Sequence, residues 1–157
     1  KKLVEADLAR RMVLIARPKA GGDTEALIKH LGLLDHIRFV GDASHEEINR
    51  LYAESAVAVV PSLYEGFGLP AVEAMAAGIP LVSSDGGALA EVVADGGLVV
   101  PAGQSDALAE ALECVLTDPT LARTLGDQGR QRAERHFCWS VCAQQMVGQY
   151  RACIDAC

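Results

Sequence analysis

The sequence as a whole is short of basic residues. Its 14 lysines and arginines stand against 21 aspartates and glutamates, a formal net charge of −7. Nucleic acid and anionic membrane surfaces call for clustered positive charge, so neither partner class is expected. No apolar run approaches the ~20 residues that span a bilayer. The opening KKLVEADLARRM carries charges throughout, unlike the charged-then-apolar order of a secretory signal. CxxC pairs are missing too. The five cysteines all follow residue 113, and the pairs Cys138/Cys142 and Cys153/Cys157 are each one helical turn apart. Zinc sites draw close pairs from separate elements, and disulfide frameworks belong to small secreted chains. The expectation is therefore a cytosolic protein with reduced cysteines packed as small apolar residues. Neither a G-x-G-x-x-G fingerprint nor a G-K-[ST] phosphate loop occurs. There is no Asp-x-Asp pair to hold a divalent cation, no internal repeat and no low-complexity tract.

What is present is an alternation. Short apolar runs, Met12–Ala16, Ile37–Val40, Val57–Val60, Pro80–Ser84 and Leu98–Val100, carry no polar alternation. That is how strands covered on both faces read. Helical segments lie between them. Residues 2–10 read as helical. DTEALIKHLGL opens with Asp23 as its cap, and SHEEINRLYAES opens with Ser44 and a capping-box Glu47. PAVEAMAAG has proline in its first turn and stops at Gly78. SDALAEALECVLTD reads as another capped helix, and two long helices over about 119–156 close the chain. Strand–helix alternation predicts a parallel α/β sheet. The 157 residues read as a single domain.

The chemistry concentrates in PSLYEGFGLPAVEAMAAGIPLVSSDGG, Pro61 to Gly87. A glycine-rich turn follows a predicted strand and opens a helix, and ligands of open α/β sheets sit at the carboxyl ends of strands. Gly66 and Gly68 permit close backbone approach. The amides of Phe67, Gly68 and Leu69 precede the first helical turn, where donors lack intrahelical partners and can hold a phosphate. A carboxylate beside a phosphate repels it, so Glu65 and Glu73 suit neutral hydroxyls on either side. Glu73 has the position to take a vicinal diol such as a ribose, and Glu65 to reach hydroxyls beyond the phosphate. Such a ligand is a nucleotide sugar. The plainer alternative stays open on these grounds: Glu73 as a solvated helix residue, Glu65 as a charge favouring a helix N-terminus.

The stretch PSLYEGFGLPAVEAMAAGIPLVSSDGGALAEVV closely resembles the E-x7-E signature of the group 1 (family 4) retaining GT-B glycosyltransferases, and the similarity runs from about Arg11 to Tyr150. The resemblance implies a Rossmann-like parallel sheet with helices on both faces, the C-terminal half of a GT-B fold. It implies that Glu65 is the candidate catalytic residue, contacting donor-sugar hydroxyls. Gly66, Phe67, Gly68 and Leu69 would bind the donor, Glu73 its ribose, and Val40 and Gly41 would wall the nucleobase pocket. The donor would be UDP- or GDP-linked, with no cofactor and no metal. The acceptor is not specified. The Gly86–Gly87 turn would face the cleft or simply turn the chain.

Against that family's pattern, the first strand of the domain is missing, with the arginine and lysine that follow it, and so is an N-terminal domain. The expectation is unpaired edges at strands 12–16 and 56–60 and no catalysis by the chain alone. The parent enzyme would be cytoplasmic and at most membrane-peripheral. The alternative function is a non-catalytic association module of glycosyltransferase descent. Trp139, Cys142, Met146, Tyr150 and Cys153 form one helical stripe, which packs on the chain's own sheet or, uncovered, supports a homo-oligomer that buries this helix, an open sheet edge, or both.

Overall fold

The computed structural model describes residues 1–6, 8, 12–16 and 21–155. They fall into two compact units, Lys1–Leu51 and Tyr52–Cys157.

In the first unit a one-turn helix α1 (Lys2–Glu5) precedes β1 (Met12–Ile15), α2 (Asp23–His30), a 3₁₀ turn and β2 (Ile37–Val40), and α3 (His45–Glu54) carries the chain into the second unit. The rest of the helix expected over 2–10 lies largely outside the described residues. β1 and β2 pair in parallel, Met12 opposite Ile37 and Ile15 opposite Val40. The two caps came out differently. Ser44 Oγ accepts the Glu47 amide at 3.2 Å, the near half of the capping box. Asp23 is instead the first helical residue of α2, with Gly22 at the cap. There its charge favours the helix N-terminus without supplying a side-chain cap.

The second unit holds β3 (Ala58–Val60), α4 (Leu69–Ala77), β4 (Leu81–Ser84), α5 (Leu89–Val93), β5 (Leu98–Val100), α6 (Ser105–Thr117), α7 (Pro119–His136) and α8 (Trp139–Asp155). Its strands form a parallel sheet in the order β3-β4-β5, flanked by helices. Only the central strand meets the expectation of burial on both faces. Every residue of β4 is buried, whereas β1, β2, β3 and β5 keep exposed or half-exposed positions. Among the described residues β1 and β3 each pair on one side only. β2 and β5 likewise pair on one side only, so the pairing does not single out the two edges expected from the sequence.

The core gathers Val60, Ala71, Ala74, Met75, Leu81, Leu89, Val92, Val93 and Ala133. α7 reaches it through a face of small residues. Gly126 lies so close to the Gly78 carbonyl that an added Cβ would stand 2.5 Å from its oxygen, and a Cβ on Gly129 would stand 2.9 Å from Gly96 O. Two arginines of α7 then tie down neighbouring helix ends. Arg130 Nη2 donates to Ala77 O at 3.1 Å, and Arg132 donates to Val92 O at 2.8 Å and to Glu91 O at 2.6 Å. Asp118 caps α7, accepting from the amides of Thr120 and Leu121 at 2.9 and 3.0 Å. α6 has no side-chain cap; Gln104 occupies the position, and Ser105 is already helical.

Two packing expectations fail. Cys114, Cys138, Cys142 and Cys153 are free thiols but exposed, and Cys157 lies outside the described residues. α8 buries none of its residues, leaving Trp139 91% exposed and Met146 and Tyr150 more than half so. The stripe does not pack on the chain's own sheet, because α8 is held by α7 rather than laid on the strands. No helix among the described residues is long and apolar enough to cross a membrane.

Candidate functional site

The carboxyl ends of β3, β4 and β5 open a shallow cleft of about 200 Å³, lined among others by Pro61, Ser84, Pro101 and Gln104. The loop Pro61–Gly68 leaves β3 beside it. Buried serines at the end of β4 fix that departure. Ser83 Oγ donates to Ser84 O at 2.9 Å and Ser84 Oγ to Ser62 O, with Val60 O 3.4 Å from each hydroxyl. No buried side-chain polar atom among the described residues is left unpartnered.

Glu65 is anchored by backbone and side chain together. It bridges Gly87 in parallel, its carbonyl accepts the Ala88 amide at 3.0 Å, and Ser62 Oγ donates to its Oε1 at 3.1 Å. Gly86 and Gly87 are what make this possible. A Cβ on Gly86 would collide with the carbonyls of Ser62 and Leu63, and one on Gly87 with the Glu65 backbone. Gly87 also has φ 65°, which glycine adopts without steric cost. These glycines hold the back of the Glu65 loop.

The turn then enters α4. Gly68 stands at its N-cap in the left-handed region, φ 96° and ψ 50°, buried against Leu89. Pro70 follows in the first turn, and Gly78 closes the helix at φ 73°. The bonds made here leave the turn's own donors free. Ala71 and Val72 both donate to Gly68 O, while among the described residues no hydrogen bond uses the amides of Phe67, Gly68 or Leu69. Three N–H groups without a partner among the described residues thus stand at the positive end of a nine-residue helix. The Phe67 ring packs edge-on against Phe137 with centroids 5.8 Å apart, and the Arg132 guanidinium lies over Phe137 at 5.8 Å. Those contacts set the turn against the end of α7.

Glu73 lies one turn further along α4, on its exposed side. Tyr52, half-buried, directs its hydroxyl at Glu73 Oε2 and at Pro70 O, each 3.3 Å away. Burial, reinforced by the Glu73 charge, pushes the phenol up to about 12. It stays a neutral donor at any ordinary pH. Tyr52 was not singled out in the sequence, where it reads as one apolar residue of α3. A half-buried tyrosine usually finds a partner for its hydroxyl, the one signal that pointed to it.

Glu65, Gly66, Phe67, Gly68, Leu69 and Glu73 thus share one loop and helix. Val40 and Gly41 belong to the first unit. Val40 is buried at the end of β2, Gly41 is exposed after it, and Asp42 follows at φ 53°. Among the described residues no three His, Cys, Asp or Glu side chains converge as metal ligands.

A family model described as glycosyl transferases group 1 matches residues 10–132. The chain belongs to that family. It is 45% identical over 155 residues to an MMP alpha-(1->4)-mannosyltransferase of Mycolicibacterium hassiacum, covering 96% of this chain but 37% of the relative. Among solved structures it is similar to sucrose-phosphate synthase of Thermosynechococcus elongatus, at a TM-score of 0.81 and 38% identity over 94% of this chain and 39% of that one. It is also similar to HepE of Anabaena in complex with UDP-glucose, at a TM-score of 0.75 and 26% identity over 83% of this chain and 36% of that one. The chain therefore spans little more than a third of these relatives. Its fold is that of the C-terminal half of a GT-B glycosyltransferase.

Proposed function

We propose that this chain is the donor-binding part of a retaining, nucleotide-sugar-dependent glycosyltransferase. One observation carries the reading: three unengaged amides, Phe67 to Leu69, stand at the start of α4 between Glu65 and Glu73. The amides donate to the diphosphate oxygens. Glu73 takes the ribose diol, and Glu65 takes hydroxyls of the sugar, where it acts as the catalytic carboxylate. The site works without a metal, since backbone donors and helix polarity supply the positive potential. A UDP- or GDP-linked sugar is the donor. Support comes from a mannosyltransferase relative and a UDP-glucose-bound neighbour. The acceptor and the groups that complete the reacting centre come from the remainder of a parent enzyme, which works in the cytoplasm or at the membrane periphery.

Calorimetric titration with UDP, GDP and ADP tests this directly. One of the three should bind, and Glu73→Ala should weaken it about tenfold or more, the loss of charge-assisted hydrogen bonds worth about 1.5–3 kcal/mol each. Absence of binding by all three would overturn the proposal and leave the association module as the better reading, which the uncovered face of α8 favours.

A further inference from the structure

We infer that Tyr52 is a positioning residue for the donor site, holding the Glu73 carboxylate in the orientation that receives a ribose diol; the inference rests on the function proposed above. Glu73 stands on an exposed helix face with rotatable bonds between its backbone and its carboxylate. Left alone, such a side chain samples several rotamers, and a ligand must select one. Among the described residues, Tyr52 is the one partner seen for that carboxylate, at 3.3 Å from Oε2.

The geometry is suited to the task. Tyr52 is rigid, with few torsions, and its ring packs against the core of the second unit. Its hydroxyl has one proton to give. Pro70 O and Glu73 Oε2 lie equally far from it, and the anionic oxygen is the stronger acceptor. The same hydroxyl thus measures the carboxylate against the first turn of α4, the turn that presents the free amides. Oε1 and the remaining lone pairs of Oε2 stay available for two ligand hydroxyls. The phenol does not ionise in the working range, so the positioning is constant across neutral pH.

Tyr52→Phe separates this role from packing, because the ring remains. UDP, GDP and ADP are titrated into the chain, and the tightest is taken forward with its 2′,3′-dideoxy analogue. The variant should melt like the parent and bind the ribonucleotide about three- to tenfold more weakly. Its loss should vanish for the dideoxy nucleotide, which offers Glu73 no diol, and in a Glu73→Ala background. Unchanged ribonucleotide affinity in Tyr52→Phe overturns the inference and leaves the proposed function standing. Equal losses for the ribo and dideoxy ligands also overturn it, since they mean Tyr52 only shapes the turn. No nucleotide binding by the parent chain overturns both.

Discussion

Glu65 and Gly87 are joined backbone to backbone, 22 positions apart, in a parallel bridge that leaves no room for a Cβ on the glycine. The backbone of Glu65 is therefore held in place by that of Gly87. Gly87→Ala should destabilise the chain by about 1–3 kcal/mol, from the positive φ and the collision with the Glu65 backbone. Differential scanning calorimetry checks the size. Ala at Gly66, where an added Cβ meets nothing, is the control and should cost far less.

Glu65→Ala should separate sugar from nucleotide. Affinity for the intact nucleotide sugar should drop, while the bare nucleoside diphosphate binds nearly as before. Equal losses for both would mean that the Ser62–Glu65 contact merely shapes the loop.

Donor binding should survive chelation. Backbone amides hold the diphosphate in the proposed site, and EDTA does not touch them. A nucleotide titration repeated in EDTA should give the same affinity, and strict dependence on magnesium or manganese would contradict the metal-free reading.

Alkaline pH should expose the Tyr52 interaction as a stability change. The folded-state value of about 12 lies above a phenol's ordinary value of about 10, so the folded chain holds this proton more tightly than the unfolded chain does. The contribution is full below pH 10 and is lost as pH rises through 12. Urea unfolding at pH 9 and pH 11.5 should show a steeper loss in the parent than in Tyr52→Phe. Parallel losses would show that the phenol is not coupled to folding.

The parts of this fold that could be read in advance are those whose cause is local. Ile37–Val40 and Leu98–Val100 are short, mostly apolar runs closed by Gly41 and Pro101, and both are strands over those same residues. Pro70 and Gly78 frame α4 because proline presets φ for the first turn and glycine takes the left-handed φ that ends the helix without steric cost. The free amides follow from a glycine turn running into a helix. What escaped depends on distant neighbours. Tyr52 meets Glu73 across 21 positions, and nothing near Tyr52 in the sequence announces it. Gly126 and Gly129 look like helix weakeners until α7 is seen against the Gly78 and Gly96 carbonyls. The cysteines resemble core residues by type, yet Cys114, Cys142 and Cys153 take exposed positions on helices and Cys138 an exposed one in the bend before α8.

Trp139 is the chain's one tryptophan and stands almost wholly in water at the start of α8. Its fluorescence therefore begins near the solvent-exposed limit and has little further to go when the core melts. Intrinsic emission will report poorly on the folding of this protein, and circular dichroism is the better monitor. The same property makes the indole a background-free optical sensor for α8. A blue shift with rising protein concentration, or on adding another protein, would signal that something has settled over that helix.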